Sequence, residues 1–179
     1  MNKYKPFLIN ENESKELYTI QTKILNSQTE ENLKIFQLAL LQCVSPVEDY
    51  ERAVELLKLI ADGSEDIRVG IIGFYLSLLW IDNIDNIFRE NIKLLYDKSS
   101  EFFQSLVYYL FALECYYKND FQSAIIHLNK SIELCDQHVC NYMLMSKLCC
   151  EAQKKYYLML AQNNIQTLSR CESALSIPC

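Results

Sequence analysis

Glycine and proline are scarce in this sequence: three of each among 179 residues. Average usage is roughly 7% glycine and 5% proline, several times what is present. Sheets and α/β folds spend these residues on turns and phosphate-binding loops. Their shortage argues against Gly-rich nucleotide loops and points to helices joined by short connections. Histidine is nearly as rare, with only His127 and His138. There is no HExxH helix and no Ser-centred elbow, so the common metallopeptidase and hydrolase arrangements have nothing to stand on. The longest apolar run, Val69 to Ile81, is short of the roughly 20 residues that a membrane span requires and reads as a buried helix. Residues 1–15 are polar and hold no apolar signal core, so the expectation is a cytoplasmic chain.

Basic residues are also in deficit, 17 against 23 acids, for a formal net charge of −6. Phosphate contacts dominate nucleic-acid affinity, so nucleic acid is not the expected partner. The excess is concentrated. Ten acids and four bases fall between Glu48 and Glu90, and the rest of the chain is balanced. The acids are Glu48, Asp49, Glu51, Glu55, Asp62, Glu65, Asp66, Asp82, Asp85 and Glu90. Such a surface either keeps the protein in solution or steers a basic protein partner towards it.

What is present in quantity is hydrophobic surface. Half of the residues are apolar and 22% are charged, enough at 21.0 kDa for one packed domain, expected over residues 1–162. Eight cysteines read mainly as reduced core thiols, since nothing marks a secreted disulfide scaffold. The periodicity is helical throughout and no strand pattern occurs. Glu13 to Asn26 places Leu17, Ile20, Ile24 and Leu25 on one face. Thr29 is a cap for a second helix with Leu33, Phe36, Leu40 and Cys43. Ser45-Pro46-Val47-Glu48 has the form of a capping box and opens a helix that stops at Gly63. Asp66 to Ile81 is apolar nearly all round and should be central, with Gly70 and Gly73 allowing a neighbour to come close. Helices follow over Asn83–Tyr96, Ser100–Tyr117 and Phe121–Leu134, the last capped by Asp120. A long helix from Val139 to Gln162 closes the series, and 163–179 is expected to fray. The fold expected is all-α, about eight helices in stacked antiparallel αα-hairpins with a long C-terminal capping helix.

Residues Ser105 to Gln137 resemble a tetratricopeptide repeat, a helix–turn–helix unit of about 34 residues. Tyr108 sits at the early aromatic position, Phe111-Ala112 at the Leu-Gly pair, and Cys115 next to Tyr116 at the tyrosine position. Asp120-Phe121 opens the second helix, with Ala124, Leu128 and Ser131 following. Asp136 stands where the family has proline. Asp49-Tyr50, Ala53 and Leu57 repeat the second-helix pattern upstream. Phe88 to Ile92 holds the same register without an alanine, and Ser146 falls one repeat beyond Ala112. The resemblance implies a concave groove lined by first helices. Its groove positions would be Leu106, Tyr109, Leu113 and Tyr116, and tyrosine suits a binding surface.

Few residues suggest chemistry. Cys135, His138 and Cys140, with Cys149 or Cys150 nearby, are zinc-ligand types at poor spacing. No cofactor and no catalytic group is assigned, and a zinc-binding helical domain ranks last. The expected function is a protein-binding module with no catalysis. In general character (small, acidic, rich in Asn, Ile, Lys and Tyr) the chain also resembles bacterial toxin-immunity proteins. That resemblance implies capture of a basic, nuclease-type toxin. A tetratricopeptide-type secretion chaperone, or a helical adaptor in a larger assembly, is the alternative.

Overall fold

The computed structural model describes residues 4–80 and 86–175, with side chains up to residue 165. The protein is all-α. The chain forms two compact units, one ending at Asp97 and the other beginning at Lys98. No described helix is long and apolar enough to cross a membrane.

The first unit begins with a single 3-10 turn, Lys5–Phe7, followed by α1 (Lys15–Asn26), α2 (Glu31–Gln42), α3 (Tyr50–Ala61), α4 (Ile67–Leu79) and α5 (Asn86–Leu95). Helix starts follow side-chain caps. The Ser14 hydroxyl accepts from Leu17 N, the Asp49 carboxylate from Arg52 N and the Asp66 carboxylate from Arg68 N. Two starts differ from the sequence expectation. α2 is capped by Glu30, which accepts from Asn32 N and Leu33 N, while the Thr29 hydroxyl is engaged by Ser27 Oγ. The helix expected to open at Ser45 opens at Tyr50 instead. Glu48 takes a left-handed conformation, φ 43°, which no helical first turn can contain. Asp49 N then donates to Gln42 O at 2.8 Å, closing the α2–α3 connection, and Asp49 becomes the cap.

The segment before α1 is held as a strap. Gln21, fully inside, accepts from Ile9 N at 2.8 Å and donates to Ile9 O at 2.9 Å. Gln42 donates to Phe7 O at 3.0 Å. Ile9, Leu17 and Leu41 are buried together beneath these bonds.

α4 and α5 show why the two glycines sit where they do. Gly70 lies against Asn91 and Ile92, and Gly73 lies against the face of Phe88. A side chain at either position would meet the facing helix, as the sequence spacing suggested. The register (Gly70 on Ile92, Gly73 on Phe88) makes the pair antiparallel. Phe88, Ile92 and Phe74 are fully buried. Yet α4, apolar all round, is not wholly enclosed. Tyr75, Leu79 and Trp80 remain 37–41% exposed. Its principal neighbours are α3 and α5, and two neighbours cannot cover every face of a helix.

The second unit contains α6 (Glu101–Tyr117), α7 (Phe121–Leu134), α8 (Val139–Leu148) and α9 (Glu151–Leu175). α6 and α7 form an antiparallel pair whose seam is made of small residues. Ser105, Ala112, Ala124 and Ser131 are all fully buried. Ser131 Oγ donates to Ser105 O at 2.7 Å, and the two hydroxyls lie 2.9 Å apart. The polar groups that make close approach possible are thereby satisfied. Asp120 caps α7 by accepting from Ser123 N.

The long final helix expected over Val139–Gln162 is two helices. Cys149 is extended (φ −97°, ψ 161°), and Gln153 and Lys154 begin the next helix by donating to Cys150 O. No Gly or Pro marks this break. Folding α9 back on α8 encloses Leu144, Met145 and Ala161, and that burial outweighs the local preference to continue. α9 extends past residue 162 to Leu175, and Asn164 Nδ2 donates to Asp136 O at 2.9 Å. Once a helix is nucleated, extension costs little.

Candidate functional site

The acidic stretch that the sequence presents as continuous is divided by α3. Glu48, Asp49 and Glu51 stand at the head of the helix. Asp62, Glu65 and Asp66 stand past its foot, roughly 18 Å away at 1.5 Å per residue. Glu55 lies between them and pairs with Lys58 at 2.7 Å. Asp82 and Asp85 lie outside the described residues.

At the head, the connection between α2 and α3 meets the C-terminal end of α4. Val47, Glu48, Asp49, Tyr50, Glu51, Leu76, Leu79 and Trp80 line a cleft of about 410 Å³. Its rim is acidic and its wall is apolar and aromatic. Tyr50, Leu79 and Trp80 are each about 40% exposed. The three carboxylates are not equivalent. Asp49 is spent on structure: it caps α3 and forms an ion pair with Arg52 Nε at 3.0 Å, while Arg52 Nη1 reaches Glu13 at 2.7 Å. Glu48 and Glu51 are exposed and make no ion pair among the described residues.

At the foot, a second cleft of about 380 Å³ is lined by residues including Glu30, Leu33, Phe36, Glu65, Asp66 and Arg68. This one is already provided with a cation. Arg68 donates to both Asp66 oxygens, at 2.6–3.1 Å, and its guanidinium sits 5.8 Å from the Phe36 ring centroid. The hydrogen-bonded guanidinium holds the Asp66 carboxyl below the usual carboxylate range.

The groove positions implied by the repeat resemblance are less open than expected. Leu113 is buried at 8% exposure, and Leu106 is only half-exposed. The Tyr109 ring packs edge-on against His138, 4.9 Å between centroids. Tyr116 packs against Tyr117 and Phe121. Rings engaged in this way are walls of the second unit more than free contact surface.

Cys135, His138 and Cys140 do not converge on a common point. Among the described residues no group of three or more His, Cys, Asp or Glu could hold a metal ion. Cys135 ends α7, Cys140 lies in the first turn of α8, and His138 is the N-cap residue between them. Burial pushes His138 down to about 4, so its ring is neutral at pH 7. The six described cysteines are free thiols. Cys171 and Cys179 lie outside the residues whose side chains are described.

The cleft-wall residues Tyr50, Leu76, Leu79 and Trp80 were not among the sites expected from sequence. The signal available was α4 itself: a helix apolar on every face must leave some of that surface open if only two helices flank it.

Comparison with family models, with curated proteins and with solved structures finds no match for this chain.

Proposed function

We propose that this chain is a protein-binding module without catalysis of its own, and that it takes a basic protein partner through the cleft at the head of α3. One observation carries the reading. Two carboxylates with no ion-pair partner among the described residues, Glu48 and Glu51, stand beside exposed Tyr50, Leu79 and Trp80 in a cleft of about 410 Å³. Acidic rim and aromatic wall together offer steering, contact area and specificity. Tetratricopeptide-like packing supplies the platform in this reading. The buried serine and alanine seam between α6 and α7 supports it, as does the antiparallel pairing of α4 with α5 and of α6 with α7.

In its most specific form the partner is a basic, nuclease-type toxin and the chain is its bacterial immunity protein. A secretion chaperone or helical adaptor would use the same surface on a different client. Co-expression decides the specific form. Cells making the toxin encoded by a neighbouring reading frame should survive with this protein and die without it. Equal killing in both rejects neutralisation. For the general form, reversing Glu48 and Glu51 to Lys should slow association with the partner and flatten its dependence on salt. An unchanged association rate rejects the acidic rim as the recognition element.

A further inference from the structure

We infer that the cleft at the head of α3 is a pocket for an arginine side chain of the partner, its guanidinium over the Trp80 and Tyr50 rings and paired with Glu48 and Glu51. This rests on the basic-partner reading and narrows it to one side-chain chemistry.

The chain's own arginines lie over aromatic rings twice, and one of them shows the full arrangement with a carboxylate. Arg68 lies over Phe36 while bonded to Asp66, and Arg89 lies over Phe74 at 5.9 Å. Aromatic face, adjacent carboxylate and guanidinium form a set. At the head cleft two members of the set are present and the third is not. Tyr50 and Trp80 are exposed, Glu48 and Glu51 flank them, and no Lys or Arg among the described residues lines the cleft. The nearest arginine in sequence, Arg52, is committed elsewhere, held between Asp49 and Glu13. Two helix ends meet at the cleft, the positive N-terminus of α3 and the negative C-terminus of α4, and their dipoles offset, so the preference for a cation rests on Glu48 and Glu51.

Arginine fits this set better than lysine. Its guanidinium is planar, stacks on aromatic faces, gives up water more readily and can bond two carboxylates at once. Leu76 and Leu79 would receive the aliphatic stem or an apolar neighbour in the partner's sequence. An anionic or purely apolar segment finds the rim repulsive or leaves two carboxylates desolvated.

Trp80 is the only tryptophan in the chain, so its emission reports on this cleft alone. The probes are three capped heptapeptides, each with one central residue flanked by leucines: Arg, Lys, or the uncharged isostere citrulline. The full chain should give a saturable change in Trp80 emission with the Arg peptide, with a Kd below about 1 mM. The Lys peptide should bind about tenfold more weakly, and citrulline should not saturate. Glu48→Gln with Glu51→Gln, and Glu51→Gln alone, should weaken the Arg peptide while far-UV circular dichroism stays unchanged. Absence of any saturable change with the Arg peptide overturns the inference. Equal binding of Arg and Lys peptides, both lost in the double variant, overturns the guanidinium assignment and leaves the basic-partner reading standing. Equal binding of the Arg peptide to wild type and double variant overturns both.

Discussion

Asp49 engages Arg52 twice, accepting from its backbone N at 3.0 Å as the cap of α3 and forming an ion pair with its guanidinium Nε at 3.0 Å. Structure and recognition therefore divide among three neighbouring acids. Asp49→Ala removes a cap and releases Arg52 from one of its two carboxylates, and should cost about 1–2 kcal/mol of stability. Glu51→Gln, at an exposed position, should stay within about 0.5 kcal/mol of wild type. Urea denaturation of the two variants checks this. Equal destabilisation would mean that Glu51 also has a folding role.

Glu48 carries its charge in a left-handed backbone conformation, φ 43°. That conformation costs an L-residue with a side chain about 1–2 kcal/mol, and glycine adopts it freely. Glycine's greater unfolded-state entropy offsets part of the gain. Glu48→Gly should therefore raise stability by about 0.5–1 kcal/mol while weakening partner binding. A variant that is less stable, or one that binds as well as wild type, contradicts the assignment of Glu48 to recognition.

Gly73→Ala sets helix propensity against packing. Alanine gains about 1 kcal/mol in a helix interior. Its Cβ would run into the ring of fully buried Phe88, and overpacking costs about 1–3 kcal/mol. The net should be destabilising. Gly70→Ala meets Ile92 Cγ1 at 2.9 Å and Asn91 Oδ1 at 3.2 Å, and these side chains yield more readily. Thermal melts should place Gly73→Ala below Gly70→Ala. The reverse order would mean that the α4–α5 seam is looser than described.

His138 gives the fold a pH dependence with a definite sign. Its folded value, about 4, lies below its ordinary 6.5 because burial disfavours the charged ring. Well above pH 6.5, from about pH 7.5 upward, the ring is neutral whether folded or unfolded, and contributes nothing. As pH falls from about 6.5 to about 4, the unfolded chain takes up the proton first and stability is lost, by about 2–3 kcal/mol at most. His138→Gln should flatten the change in urea midpoint between pH 7.5 and 5. An unchanged slope would assign the acid sensitivity to other groups.

Much of the fold was legible because it rests on local signals. Asp120, read from the sequence as a cap, caps α7, and Ser14 and Asp66 carry the same signal at the starts of helices that were read from periodicity alone. Gly70 and Gly73 announced a close helix contact and mark one. Illegible features depend on partners distant in sequence or on competition between two local signals. The bend at Cys149 has no breaker residue and exists because α9 gains by lying on α8. Ser45-Pro46 looks like a helix start, but Asp49 wins the cap once Asp49 N is bonded to Gln42 O. The acidic residues were plain to see, and their division into two groups was not, because it requires knowing that α3 separates Glu51 from Asp62. The aromatic half of the cleft was hidden for a related reason. Trp80 and Leu79 belong to a stretch that hydropathy alone assigns wholly to the core.

The most direct measurement of the central claim is a parallel capture from lysate of the native source, using immobilised wild type and the Glu48→Lys, Glu51→Lys double variant, both shown to be folded. The account predicts a stoichiometric basic protein on the wild type, eluted by salt and absent from the double variant. The same protein retained equally by both, or an acidic protein retained by the wild type, would contradict it.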